Sequence, residues 1–114
     1  MAACSWIAER FACEANVELR SDGTVRVTCA TQDIGTGTYT ILAQVVSAET
    51  GVSLNRISVV LGDKSLPPGP ISGGSMATAS VIPAVSAASD QAISNLMFTA
   101  TQAANSPFAG KTLT

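Results

Sequence analysis

Histidine is absent from this sequence, and cysteine is scarce: Cys4, Cys13 and Cys29 are the three, at spacings that match no metal-binding pattern. An independent zinc site is therefore not expected. An odd number of cysteines without an export leader points to reduced thiols in the core of a cytoplasmic protein. The opening run MAACSWIAERF has neither a positively charged start nor an apolar stretch long enough for a signal. No later run approaches the length of a membrane span. Basic blocks are missing as well. Six Lys and Arg against eight Asp and Glu leave a net charge of −2, which makes nucleic acid and membrane surfaces poor partners. Aromatic residues are only 4% of the chain, and the abundance of alanine, serine and threonine favours close backbone packing over a core of large rings.

What is present suffices for one small domain. The chain has 114 residues, and 46% of them are hydrophobic, enough for a core and against disorder. Between Ala12 and Cys29, Val17 and Leu19 alternate with Glu18 and Arg20, and Val25 and Val27 with Arg26 and Thr28. Asp22-Gly23 between these runs predicts a β-hairpin, because glycine accepts the positive φ of a tight turn. A glycine-rich loop, Thr31 to Thr38, follows. It leads into Tyr39–Thr50, where Ile41, Leu42, Val45 and Val46 recur at helical spacing before Gly51 as the stop.

Arg56–Leu61 reads as a third strand. Gly62 to Gly74 holds three prolines and four glycines and must be an extended loop. Ser75–Ala104 reads as one long helix, with Val81, Val85, Ala88, Ala92, Leu96 and Ala103 as its apolar stripe. Pro83 should kink it, so that Ser75 to Ile82 is expected to be irregular and the regular helix to begin at Pro83. The expected fold is α+β: hairpin, helix, strand and long helix, in two layers with the helices on one face of a small sheet. Residues 1–104 are expected to form a single domain and 105–114 a loose, turn-rich tail.

Two loops carry chemistry. DIGTGT and ISGGSMAT each run into a helix, where unpaired N–H groups and the helix dipole attract anions. Glycine admits a bulky ligand to the main chain, and Ser or Thr adds hydroxyl donors. Two such loops in one domain suggest an extended phosphorylated ligand. On the residues alone, however, ordinary capping and turn chemistry outweighs a ligand at either loop. Neither is a P-loop, which needs a lysine before its Ser or Thr, and neither is a dinucleotide fingerprint.

Resemblance adds what the loops cannot. DGTVRVTCATQDIGTGTYTILAQVVSAETGV, then RISVVLGD, then SGGSMATAS resemble the molybdopterin-binding subunit of the xanthine dehydrogenase and aldehyde oxidase family, the molybdenum hydroxylases. The likeness runs from about Met1 to Leu96 and is strongest to the bacterial aldehyde oxidoreductase branch. It implies a molybdopterin cofactor, in its cytosine dinucleotide form. It also implies that Ile34, Gly35, Thr36 and Gly37 lie against the pterin and its phosphate, and that Gly73, Gly74, Ser75, Met76, Ala77 and Thr78 contact the phosphate end. The implied parent inserts oxygen from water into an aldehyde or heterocycle and passes electrons to iron–sulfur and FAD subunits. Metal ligation there comes from the cofactor's own dithiolene sulfurs, so no metal ligand is expected among these residues.

The departures shape the remaining expectations. The family's catalytic glutamate and substrate pocket have no counterpart in this sequence, and Lys64 stands where Ser or Thr commonly follows Gly-Asp. The chain is thus expected to be an internal fragment, arising as a truncated gene, an isolated cassette or an expression fragment. No catalytic residue is assigned, and the isolated chain is expected to be inactive and to self-associate through uncovered apolar faces. A stand-alone anion- or nucleotide-binding module, or a folded remnant without ligand affinity, are the alternatives. Asp33 is expected to cap the helix rather than only orient the loop, Gln44 to be structural, Glu49 to be solvated, and Trp6 and Tyr39 to be packing residues.

Overall fold

A computed structural model describes residues 1–112. The hairpin forms where alternation places it, as β1 (Asn16–Leu19) and β2 (Val25–Cys29), paired antiparallel with Val17 opposite Val27 and Leu19 opposite Val25. Its turn is fixed locally. Asp22 Oδ1 accepts from the Thr24 amide at 2.9 Å and the Thr24 hydroxyl at 2.7 Å, while Gly23 takes φ +77°. The Arg56 guanidinium also donates to the Asp22 carbonyl, tying the turn to the start of the third strand.

Helix α1 (Thr38–Thr50) follows the glycine-rich loop and stops at Gly51, whose φ of +72° lets its N–H reach the Ser47 carbonyl at 3.0 Å. A short 3₁₀ turn, Leu54–Arg56, then feeds β3 (Ile57–Leu61). β3 pairs with β2 in parallel, Val27 opposite Val59, so the sheet order is β1-β2-β3 and α1 is the crossover that parallel neighbours require. Val25, Val27 and Cys29 of the central strand meet Leu42 and Val46 of α1 and Val81 and Val85 of α2 (Ala77–Gln102) in one buried cluster. Both helices thus cover a single sheet face, as the strand alternation requires. Each fully buried Val or Leu stabilises the fold by about 1.5–3 kcal/mol relative to exposure.

Two expectations need correction. Pro83 does not delay the start of α2, which runs from Ala77 through Pro83. The proline sits in the second turn with its ring exposed, so the Ala79 carbonyl that loses its partner lies at a solvated face. The apolar stripe also does not stay buried. Val81, Val85 and Ser89 are at or near zero exposure, but Leu96 is 57% exposed and Ala103 is exposed too. A 26-residue helix is about 39 Å long, longer than a sheet of 4- and 5-residue strands can cover. Its second half overhangs, and together with residues 1–15, which form no regular element, this goes with a radius of gyration of 16.6 Å where a compact chain of this size has about 13 Å.

The expected tail is turn-rich, but it is not detached: the Gly110 amide returns to the Thr101 carbonyl at 3.1 Å. Its last residues, 113–114, lie outside those described. Residues 1–15 form no regular element, yet they are fastened to α2, for the Phe11 amide donates to Ser80 Oγ at 2.9 Å.

Candidate functional site

The loop after β2 and the loop before α2 come together. Thr31, fully buried, donates its hydroxyl to the Pro70 carbonyl at 3.0 Å, and Ser72 Oγ donates to the Gln32 carbonyl. Upstream, the Ala30 amide donates to the Pro67 carbonyl at 2.8 Å. These bonds lay the proline-rich segment along the end of β2 and deliver the second glycine loop beside the first. Between them lies a cleft of about 470 Å³, within the range of small-molecule sites. Ile34 and Thr36 form one wall, and Ser72 with Gly73 to Thr78 forms the other. Gly35 and Gly37, also predicted to be site residues, do not line it.

The two loops differ in where their amides point. In the first, the Asp33 carboxylate collects them: Oδ1 accepts from Gly35 N at 2.8 Å, Thr36 N at 2.9 Å and Gly37 N at 3.3 Å, and Oδ2 from Tyr39 N at 3.4 Å. Asp33 therefore chiefly orders the loop, the alternative to the expected helix cap: the N-cap of α1 is Gly37, and only the Tyr39 amide at 3.4 Å lies within the helix. Desolvation pushes its pKa up, but the four amide bonds from Gly35, Tyr39, Thr36 and Gly37 together win and hold the carboxyl below its ordinary range.

The second loop has no such internal anion. α2 begins without a side-chain cap, so the amides of Ala77, Thr78 and Ala79 are the unpaired donors that every helix start leaves. Gly74 has φ +58°, and so does Ser75, the one non-glycine residue in the left-handed region among those described. Both residues line the cleft; strain of this kind gathers at ligand sites. The donor set, amides and hydroxyls with a helix dipole behind them, suits a phosphate or another anionic oxygen group.

Other expectations resolve unevenly. Gln44 is exposed on α1 and does not line the cleft. Glu49 is exposed but accepts a hydrogen bond from Ser86 Oγ at 2.6 Å, joining α1 to α2. Trp6 and Tyr39 are not packing residues, at 76% and 45% exposure. The Trp6 indole instead donates to the Gly74 carbonyl at 3.3 Å, a contact with the second loop that no sequence signal announced. Of the cysteines only Cys29 is fully buried; Cys13 is half-buried and Cys4 exposed. A larger cleft, about 720 Å³, opens between β1, the proline-rich loop and α2. It marks where the overhanging helix and the edge strand lack a neighbour, and no predicted site residue lines it.

Two loops thus converge on a donor-lined cleft within a small α+β fold. The chain belongs to the family of molybdopterin cofactor-binding domains, whose profile matches residues 2–110. It is 50% identical over 60 residues, 53% of its length, to the aldehyde oxidoreductase molybdenum-binding subunit PaoC of Escherichia coli K12, and equally to that of strain O157:H7. The chain spans 8% of the length of these relatives. Among solved structures, a Cu,Mo-CO dehydrogenase in its carbon monoxide reduced state matches 77% of the chain at a TM-score of 0.72 and 24% identity. A reconstituted CO dehydrogenase from Oligotropha carboxidovorans matches the same share at 0.71 and 24% identity. The chain covers 11% of each, and at that identity the likeness shows the fold.

Proposed function

We propose that the cleft between the two glycine loops holds the phosphate-bearing side of a molybdopterin cofactor, in its cytosine dinucleotide form, as one part of the molybdenum subunit of an aldehyde or xanthine dehydrogenase-like oxidoreductase. The observation that carries this reading is the uncapped start of α2 opening on a cleft that also contains Ile34 and Thr36. The residues fit the group by donor chemistry: the amides of Ala77 and Thr78 and the hydroxyls of Ser75 and Thr78 would hold phosphate oxygens, while Ile34 offers an apolar surface to a flat ring. When bound, the cofactor supplies molybdenum and its own dithiolene ligands, and with them the redox chemistry. This chain's part is to bind and orient. Iron–sulfur and FAD subunits are the electron-transfer partners of such an enzyme. Residues 1–104 act as the binding unit, with the tail accessory to it.

The test is cofactor content. Gly73→Val and Gly74→Val, each placed in a complete subunit, are expected to lower molybdenum and released pterin, with folding checked by circular dichroism. Ser75→Ala is expected to have a milder effect, about 0.5–1.5 kcal/mol for one hydrogen bond. Full occupancy in both valine variants would leave the glycines as turn residues and remove the reading.

Self-association is the second property we propose. Leu96 at 57%, Phe98 at 67%, Trp6 at 76% and Ile7 at 70% exposure leave more large apolar side chain in water than a monomer of this size commonly keeps.

A further inference from the structure

Two loops of similar composition lie side by side, yet one has its anion built in. Four backbone N–H groups converge on the Asp33 carboxylate at 2.8 to 3.4 Å. Gly35 and Gly37 make this possible, because φ values of +94° and +80° turn successive amides to one side and form a concave nest. No other atom of this chain lies within 4 Å of where a Cβ would stand on either glycine, so packing within the chain does not require glycine there. Their conformation is used to aim amides inward.

An outside phosphate would need this same donor set, and it would also meet a like charge at the carboxylate. The start of α2 shows the contrast: no side chain fills it.

We propose that Asp33 is a positioning residue of the first loop: its carboxylate takes the seat that a phosphate would otherwise occupy, so the loop serves only as a wall of the cleft and phosphate is left to the second loop. The last part rests on the reading that the cleft takes phosphate at all. Asp33 closes the ring behind Ile34, which is 67% exposed and stands in the cleft wall, and it holds Thr36 beside it through the Thr36 amide. The first loop's share of binding is then shape, and the second loop's share is charge. The role belongs to the apo chain and is measurable without any cofactor.

The test uses this chain, unaltered and with Asp33→Ala or Asp33→Asn. The readouts are amide hydrogen exchange and amide chemical shifts during titration with inorganic phosphate. In Asp33→Ala, the amides of Gly35, Thr36, Gly37 and Tyr39 are expected to exchange about tenfold faster, the scale of one charge-assisted hydrogen bond. Phosphate, silent at these amides in the unaltered chain, should now shift them and slow their exchange again. Asp33→Asn, which keeps one neutral acceptor, should fall between. Restoration by phosphate is the result that a merely structural loss would not give.

The proposal is overturned if phosphate shifts Gly35 to Gly37 while Asp33 is in place, or if the variants keep their protection. It is also overturned if added phosphate fails to restore protection once it is lost. The unaltered chain decides the first point even where a variant folds poorly. The phosphate reading of the cleft fails separately: no response at Ala77, Thr78 or Ala79 in any of the three proteins would sink it and leave the Asp33 result standing.

Discussion

Gly69→Ala tests how the proline-rich segment is seated against the end of β2. An added Cβ would stand 2.7 Å from Cys29 Sγ, 2.9 Å from the Thr31 amide nitrogen and 3.1 Å from Thr31 Cβ. Ordinary contacts lie near 3.5–4.0 Å, so something must move by roughly an ångström. Neither neighbour yields easily. Cys29 and Thr31 have zero exposure, and the flanking bonds from Ala30 to Pro67 and from Thr31 to Pro70 hold both sides in place. Gly69 is not in the left-handed region, so the substitution carries no backbone strain and reports the steric clash alone.

Overpacking of this kind costs about 1–3 kcal/mol. The reduced freedom of the unfolded chain returns about 0.4–1 kcal/mol. A net loss of about 1–2 kcal/mol is expected, and in urea the midpoint should fall by about 0.5–1.5 M with the slope unchanged. Cys29→Ala removes the nearest atom, so the double variant should lose less than the two single costs combined. Gly69→Ala at unchanged stability, or strict additivity with Cys29→Ala, would refute the close-approach argument.

Two further outcomes follow from the packing. Desolvation, and then the Cys29 thiol 3.9 Å away, push the Cys13 thiol up to about 12, so at pH 8 an alkylating reagent should label exposed Cys4 and spare Cys13 and Cys29 until the chain unfolds. Because the folded pKa lies above the usual thiol value, Cys13 keeps its full contribution below about pH 9 and loses it progressively toward pH 12; Cys13→Ala should flatten that decline in a denaturation series. The α2 overhang should drive association, so the mass from light scattering is expected to rise with concentration, and Phe98→Glu with Leu96→Glu should return it toward the monomer at little cost in stability; a constant monomeric mass would count against it.

The hairpin, both helices and the third strand were legible because their signals are local: alternation in Val17 to Val27, the Asp22-Gly23 turn, the 3.6-residue spacing of Leu42 and Val46, and Gly51 as a stop. The parallel pairing of β2 with β3 was not, since nothing in either strand's own residues selects its distant neighbour. Nor was the exposure of Leu96. Helical spacing says which residues share a face, but only the width of the sheet says where that face runs out of partner. At the site, composition identified both loops, and Asp33 was readable as a residue that either caps the helix or orients the loop, with the cap favoured where the structure shows mainly the loop role. It could not reveal that Asp33 gathers four amides, because that depends on φ at Gly35 and Gly37. The bonds of Trp6 to Gly74 and of Ser72 to Gln32 join residues far apart in sequence and left no trace in it.

The central strand carries one neighbour that precedes it along the chain and another that follows only after a helix. α2, the last element, then lies against both α1 and β1. First and last elements are therefore joined through the middle ones in one core cluster, to which β2, α1, β3 and α2 all contribute. If these elements unfold as one cooperative unit, damage to the hairpin should weaken the seating of α2, which lies against β1, and should read out as loss of the whole unit.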